Sequence, residues 1–315
     1  MRKKLGLILL GSLALFAGTD WSAAGRQWWS HVQFLARDQL QGRNVGSPGF
    51  DKAADHVAAE FERAGLGPGG TNHYFQPVQL TEISLIASRS KMAIVRAGTA
   101  TEVAIPAEAI LGYGADSAPS LEAPIVFAGY GLRIPEAHYD DLQGISVRGA
   151  VVAYINGGPD KINGNLRSHY SSSKERWNAL RAAGAVGIIS IPNPKEMEIP
   201  WNRQAAAWGR PRVTLADASL APTPGLKFSA TWNPDKAEDL FARSGHTLTE
   251  ILETAKQQGS LPHFQLSCSM RASTIVSTRP IESKNVVGIR DGNDPKLKNE
   301  YVVLSAHLDH LGPLY

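Results

Sequence analysis

Cysteine is almost missing from this sequence: Cys268 is the single one in 315 residues. No intrachain disulfide and no cysteine-based metal cluster can therefore form. Its setting, Phe264-Gln-Leu-Ser-Cys268-Ser-Met270, alternates apolar and small polar residues, which predicts a strand with Cys268 as a small buried hydrophobe. Charge of one sign is lacking too. There are 32 Lys and Arg against 29 Asp and Glu. Three of the basic residues, Arg2, Lys3 and Lys4, stand before a short apolar run, Leu5 to Ala17, with small Ser22, Ala23 and Ala24 after it. That layout predicts a secretory leader over residues 1–24, too short for a comfortable membrane span. Cleavage after Ala24 leaves 29 basic against 28 acidic residues, which gives no electrostatic case for nucleic acid. The mature chain is expected to be exported, periplasmic or extracellular, without stable membrane insertion. No Cys opens it, so a lipid anchor of the bacterial type has no attachment point.

Several catalytic signatures are missing as well. The glycines at 157, 158 and 164 make neither a Gly-x-Gly-x-x-Gly nor a phosphate loop. Ser171, Ser172 and Ser173 follow His169, but no Gly-x-Ser-x-Gly elbow surrounds them, so they read as a loop capping the next helix. Asp140 and Asp141 could bind a cation but read as a solvated or hydrogen-bonded turn. No Asp-x-His pair of the kind that opens a binuclear metallophosphatase site is present. His31 and His56 each lack a second His at i+4 and read as boundary residues of helices. Glu60, four beyond His56, reads as a helix-face contact.

What is present is a turn-rich globular chain of about two domains' length, 43% hydrophobic, with 30 Gly and 19 Pro. The apolar spacing of Trp28, Val32, Leu35, Ala36 and Leu40 predicts a helix over 26–40. Ser47 as N-cap and Pro48 at the first position start a second, with Phe50, Ala53, Ala54, Val57, Ala58 and Phe61 on one stripe and Gly65 closing it. From Tyr74 to Ile125 short apolar runs between turns predict β-structure. Strands are expected at Ile125–Gly131, Gly149–Ile155 and Val186–Ile191, the last two joined by a helix over Lys174–Ala183 in a right-handed βαβ unit. Residues 197–224 read as an irregular loop. Thr247 and Glu250 form a capping box for one more helix. Asn285–Arg290 and Tyr301–Ala306 then read as a hairpin or near-hairpin around Asp291-Gly-Asn-Asp294-Pro.

The chain's last stretch carries the chemistry. Tyr301-Val-Val-Leu-Ser-Ala predicts a buried parallel strand, and His307, Asp309 and His310 arrive at its carboxyl end, where open α/β sheets bind ligands. A His with a carboxylate two positions on can be a metal ligand plus the partner that fixes its tautomer and aim.

Together these segments resemble a known family. Phe34-Leu-Ala-Arg-Asp-Gln-Leu40-Gln-Gly42-Arg43-Asn-Val-Gly46-Ser47-Pro48-Gly49, with Asn285-Val-Val-Gly288 and Tyr301–Gly312, resembles the co-catalytic zinc aminopeptidases, the "M twenty-eight" metallopeptidases. The middle, from Tyr139-Asp-Asp-Leu through Gly149–Tyr154 to Lys174–Ile191, is similar to the protease-associated domain often inserted there. Gln41 stands where the family more often has Glu. The resemblance implies an α/β fold: a partial zinc-exopeptidase α/β sandwich interrupted by an inserted protease-associated, β-rich α+β domain. It implies residues 25–80 as amino-terminal helices of the peptidase domain, 81–280 as the insert and 281–315 as the first strands of the metallopeptidase core.

By the same resemblance, His307 would ligate one of two Zn²⁺ ions and Asp309 would orient it, while His310 would not be a ligand. The two ions would share a water, and a glutamate would take its proton during peptide hydrolysis. The family's remaining ligands and that glutamate follow the His307 strand, beyond Tyr315. As it stands the chain is therefore expected to be the amino-terminal portion of a secreted zinc exopeptidase, inactive alone, acting when complete on peptide or protein substrates. An alternative is a non-catalytic peptide-binding protein built on a protease-associated domain. Oligomeric state and residue preference are not legible.

Overall fold

Ser47 starts the best-defined helix of the amino-terminal region. Its hydroxyl accepts the Phe50 N–H at 3.2 Å, and Pro48 occupies the first turn, where no backbone donor is needed. The helix, α2 (Pro48–Arg63; α1 is Trp21–Leu35), buries Phe50, Ala53, Ala54 and Ala58 of the expected stripe, while Val57 and Phe61 are half-buried. It ends as Gly65 takes φ +74° and the Leu66 N–H returns to the Phe61 carbonyl at 3.0 Å. The structure, a computed structural model, describes residues 21–312, so the apolar run expected to form a secretory leader lies outside them.

The chain forms two compact units, residues 1–78 with 282–315, and residues 79–281; it passes between them within the strands Phe75–Leu85 and Val276–Val286. In the first unit, the helix expected over 26–40 begins earlier and stops at Leu35. A 3-10 segment, Asp38–Arg43, follows it. There Gln41, Gly42 and Arg43 take φ of 47°, 76° and 58°, a left-handed run that no helix can continue through. None of the α1 side chains is fully buried. Gly288–Ile289 pairs antiparallel with Gly67–Pro68.

The second unit is built on an eight-stranded mixed sheet in the spatial order Thr99–Glu102, Lys91–Arg96, His263–Ser273, Leu121–Ala128, Val151–Ile155, Gly187–Ile191, Phe228–Trp232 and Ala109–Gly112. The pairings among the four strands from Leu121–Ala128 to Phe228–Trp232 are parallel, and those outside them antiparallel. Helix α3 (Gly164–Ser171) precedes α4 (Ser173–Ala182), which links Val151–Ile155 to Gly187–Ile191 as the expected βαβ unit. The continuous apolar text of these strands has a physical reason: both faces are covered. Ile125, Phe127, Val151 and Ala153 point into one core with Phe241, Ile251 and Met270, while Val126, Ala128 and Val152 point into another with Trp177 and Leu180. Cys268 is buried in the first core, and burial pushes its thiol pKa up.

Other expectations need correction. Of the expected serine loop after His169, Ser171 instead closes a helix that also holds His169 and Ser173 opens the next; Ser172, whose hydroxyl faces the Glu175 N–H at 3.4 Å, caps that second helix. Residues 197–224 are not wholly irregular: they hold α5 (Trp201–Ala206) and a strand, Arg212–Leu215, antiparallel to Leu80–Ile83. The capping box of Thr247 and Glu250 is present and opens α6 (Leu248–Lys256). The buried strand expected at 301–306 is absent, and so is its hairpin with 285–290. That stretch carries no regular structure, and Tyr301 to Leu304 are 82%, 94%, 79% and 95% exposed. An apolar sequence becomes a strand only when neighbours take its backbone groups, and no described segment does so here. Among the described residues, no helix is long and apolar enough to cross a membrane.

Candidate functional site

His307 lies in the irregular stretch after the apolar run, largely exposed. Its Nδ1 sits 2.8 Å from the backbone oxygen of Asp309 and 3.7 Å from that residue's carboxylate. A carbonyl has no proton to give, so Nδ1–H is the donor, and in the neutral ring the lone pair then resides on Nε2. This tautomer is the one a metal-binding imidazole needs, with Asp309 on the far side of the ring from the free nitrogen. Both side chains are too exposed for the ion pair itself to stabilise the fold appreciably.

The segment is held by residues the sequence placed far from it. The Arg43 Nε–H donates to the Leu308 carbonyl at 3.0 Å, and the Arg43 carbonyl accepts the His310 N–H at 3.1 Å. The same guanidinium donates through Nη1 to the Leu35 carbonyl, tying in the end of α1. Gly42 lies so close that a methyl group there would run into the Leu311 carbonyl oxygen. Its positive φ adds a second reason for glycine at this point. Around these contacts Leu35, Asp38, Gln41, Gly42, His310 and Gly312 line an open cleft of about 750 Å³. The Gln41-Gly42-Arg43 motif and the His307–Gly312 motif thus meet in space.

One imidazole does not make a zinc centre, which takes three or four protein ligands. Among the described residues no second His, Cys, Asp or Glu joins His307 in a group able to hold a metal. His310 contributes its backbone to the Arg43 contact. The donors present therefore do not fit the dinuclear zinc implied for this segment, and no chemical step can be drawn through it.

Sequence reasoning missed a different grouping. His31 on α1 and His56 on α2 face each other, Nδ1 to Nε2, at 3.3 Å. Glu60, one helical turn beyond His56, brings Oε1 to 4.0 Å from the same Nε2. The ligand atoms of the three all lie within 4.8 Å of one another, and all three residues are half-buried. The Phe34 ring stacks on His56, with centroids 4.0 Å apart and planes 18° from parallel. Burial lowers the His56 pKa; Glu60 opposes that shift, while His31, Arg63 and Arg37 add to it. The usable signal in the sequence was the His56–Glu60 spacing. Its third partner came from another helix, 25 residues away.

Asp141, expected in a polar turn, is instead buried in the second unit. Its carboxylate accepts the N–H groups of Tyr130 and Leu132, both at 3.0 Å, and the Tyr139 hydroxyl at 2.6 Å, with His263 Nε2 at 3.3 Å. Desolvation, followed by the Asp141 charge, pushes the Tyr139 phenol pKa far up. Every oxygen of this carboxylate is occupied, so it is a fold-supporting group. Asp140 does make the expected turn, accepting the Leu142 N–H at 2.9 Å.

No family model and no curated protein matches this sequence. Solved structures do. An aminopeptidase from Aneurinibacillus sp. strain AM-1 is 16% identical with a TM-score of 0.45, over 86% of this chain and 49% of that one. BSAP, a zinc aminopeptidase from Bacillus subtilis, is 15% identical with a TM-score of 0.35, over 85% of this chain and 47% of its own. A second structure of BSAP gives 16% and 0.33, over 87% and 48%. The chain spans about half the length of these structures.

Proposed function

We propose that this chain is the amino-terminal part of an exported zinc-dependent exopeptidase of aminopeptidase type, with peptides or proteins as substrates. The observation that carries the reading is the meeting of its two signature motifs. Gly42 and Arg43 clamp the backbone of Leu308, His310 and Leu311, beside a His307 whose Nε2 is free to bind. Such a clamp fixes the one metal-ligating residue in place before the others are added, which suits a site that must be rigid to act. In this reading His307 supplies the first zinc donor, and Asp309 holds its tautomer. The remaining donors and the proton-accepting glutamate belong to residues after Tyr315. The unit of residues 79–281 corresponds to a protease-associated insert that steers substrate and contributes no catalytic group. Alone, the described residues hold no complete centre around His307, and the chain is expected to be inactive.

The test compares two polypeptides. With added zinc the 315-residue chain is expected to turn over no aminoacyl anilide. A polypeptide continued through the downstream core is expected to do so in a chelator-sensitive way. In that longer protein His307→Ala should abolish turnover, and Asp309→Asn should weaken metal affinity about ten- to a hundredfold. Retention of both zinc ions and full rate by His307→Ala would sink the assignment. A downstream frame encoding no acidic and histidine donors would leave the alternative, a peptide-binding scaffold without catalysis.

A further inference from the structure

The geometry points to a second metal site, independent of that reading: we propose that His31, His56 and Glu60 bind one Zn²⁺ that pins α1 to α2. The distances suit a tetrahedral ion. Two nitrogens each about 2.0–2.1 Å from zinc stand about 3.3–3.4 Å apart along a tetrahedral edge. His31 Nδ1 and His56 Nε2 are 3.3 Å apart. Glu60 Oε1, at 4.0 Å from His56 Nε2, needs to close by about 0.6 Å to reach the same edge length, which a side-chain rotation supplies. His56 and Glu60 share one face of α2 at i and i+4, so a single helix supplies two donors in fixed relation, and α1 supplies the third.

Three surroundings favour ligation. The Phe34 ring against His56 fixes the plane of that imidazole. Burial, the largest influence on His56, lowers its pKa and so favours the neutral ring, the form in which an imidazole binds metal. Finally, α1 has no fully buried side chain, so a cross-link through His31 would add to the Phe34 and Leu35 contacts that hold it in place. Two features compete. The Glu60 carboxylate is paired with the Arg63 guanidinium, which an ion must displace or share. The 3.3 Å contact between the rings is also what a single imidazole–imidazole hydrogen bond gives. That bond, however, does not use Glu60, and the difference makes the proposal testable. Three protein donors and a half-exposed setting leave the fourth position to water, so the site holds a helix pair together without being closed like a four-ligand structural centre.

The experiment is a cobalt(II) and then zinc titration of the full chain after removal of metal with a chelator. One equivalent of cobalt should bind with the intense visible absorption of a tetrahedral ion, and zinc should displace it and raise the thermal midpoint. His31→Ala and Glu60→Gln should each weaken binding at least tenfold, since losing a direct ligand costs no less than losing an outer partner. His307→Ala should leave it unchanged. Glu60→Gln preserves shape and the helix, so it reads the site even if His31→Ala loosens α1. Wild-type affinity in either variant, no stoichiometric uptake, or loss of binding in His307→Ala instead overturns the proposal.

Discussion

Asp141 is one of a pair of adjacent aspartates that the sequence could not tell apart. Asp140 faces outward into a turn, while Asp141 points inward and satisfies two backbone N–H groups of the segment after the strand Leu121–Ala128. That segment holds Gly129 and Gly131 at φ of 52° and 65°, conformations that turn its amides toward a common acceptor. Removing the acceptor leaves two buried donors unpaired at about 1–3 kcal/mol each. Asp141→Ala is therefore expected to lose about 3–5 kcal/mol in urea unfolding, and Asp141→Asn, which keeps one carbonyl oxygen, distinctly less. Equal, small losses for both would mean that the amides find other partners. The residue-level signals that could be read locally were the caps: Ser47, Ser172 and the reciprocal pair Thr247–Glu250 all appear where their side chains predict. Direction of burial was not local information, because it depends on which side of a turn the sheet lies.

At the scale of elements, legibility followed the same division. The strands Val151–Ile155 and Gly187–Ile191, with α4 between them, were plain in the text because their apolar runs are uninterrupted and buried on both sides. Helix α1 was legible as a helix but not in extent, since the left-handed run at Gln41–Arg43 that ends its neighbourhood serves a distant contact with Leu308 and His310. Nor could spacing show that α1 and α2 set His31 against His56. That contact has a pH consequence. The folded pKa of His56 lies below its ordinary value, so the folded state binds its proton less readily than the unfolded chain does. Its contribution to stability is thus full above the ordinary histidine pKa of about 6.5 and is lost as pH falls through the lower folded value. In metal-free protein, urea stability should decline on acidification below that pH, and His56→Gln should flatten the decline. An unchanged pH profile in His56→Gln would show that another group is responsible.

For the whole molecule, the apolar run Tyr301–Leu304 is the place where sequence and structure part. Its composition is that of an interior strand, yet its side chains stand in solvent and its backbone pairs with nothing described. Such an edge offers unpaired N–H and C=O groups beside apolar side chains, a template for another strand. Composition alone could not place it, because burial is a property of the partner as much as of the run. The first expected consequence is self-association. In sedimentation the chain should form concentration-dependent oligomers, and Val302→Lys with Leu304→Lys should return it to a monomer, since charge on an edge opposes pairing. If the run instead awaits downstream strands, as the peptidase reading requires, the longer polypeptide should be monomeric without those lysines. The amides of 302–304 in that protein should also be strongly protected from hydrogen exchange. Fast exchange there in a folded, longer protein would leave the run without a sheet to enter, and His307 would then have no strand to place it at a catalytic centre.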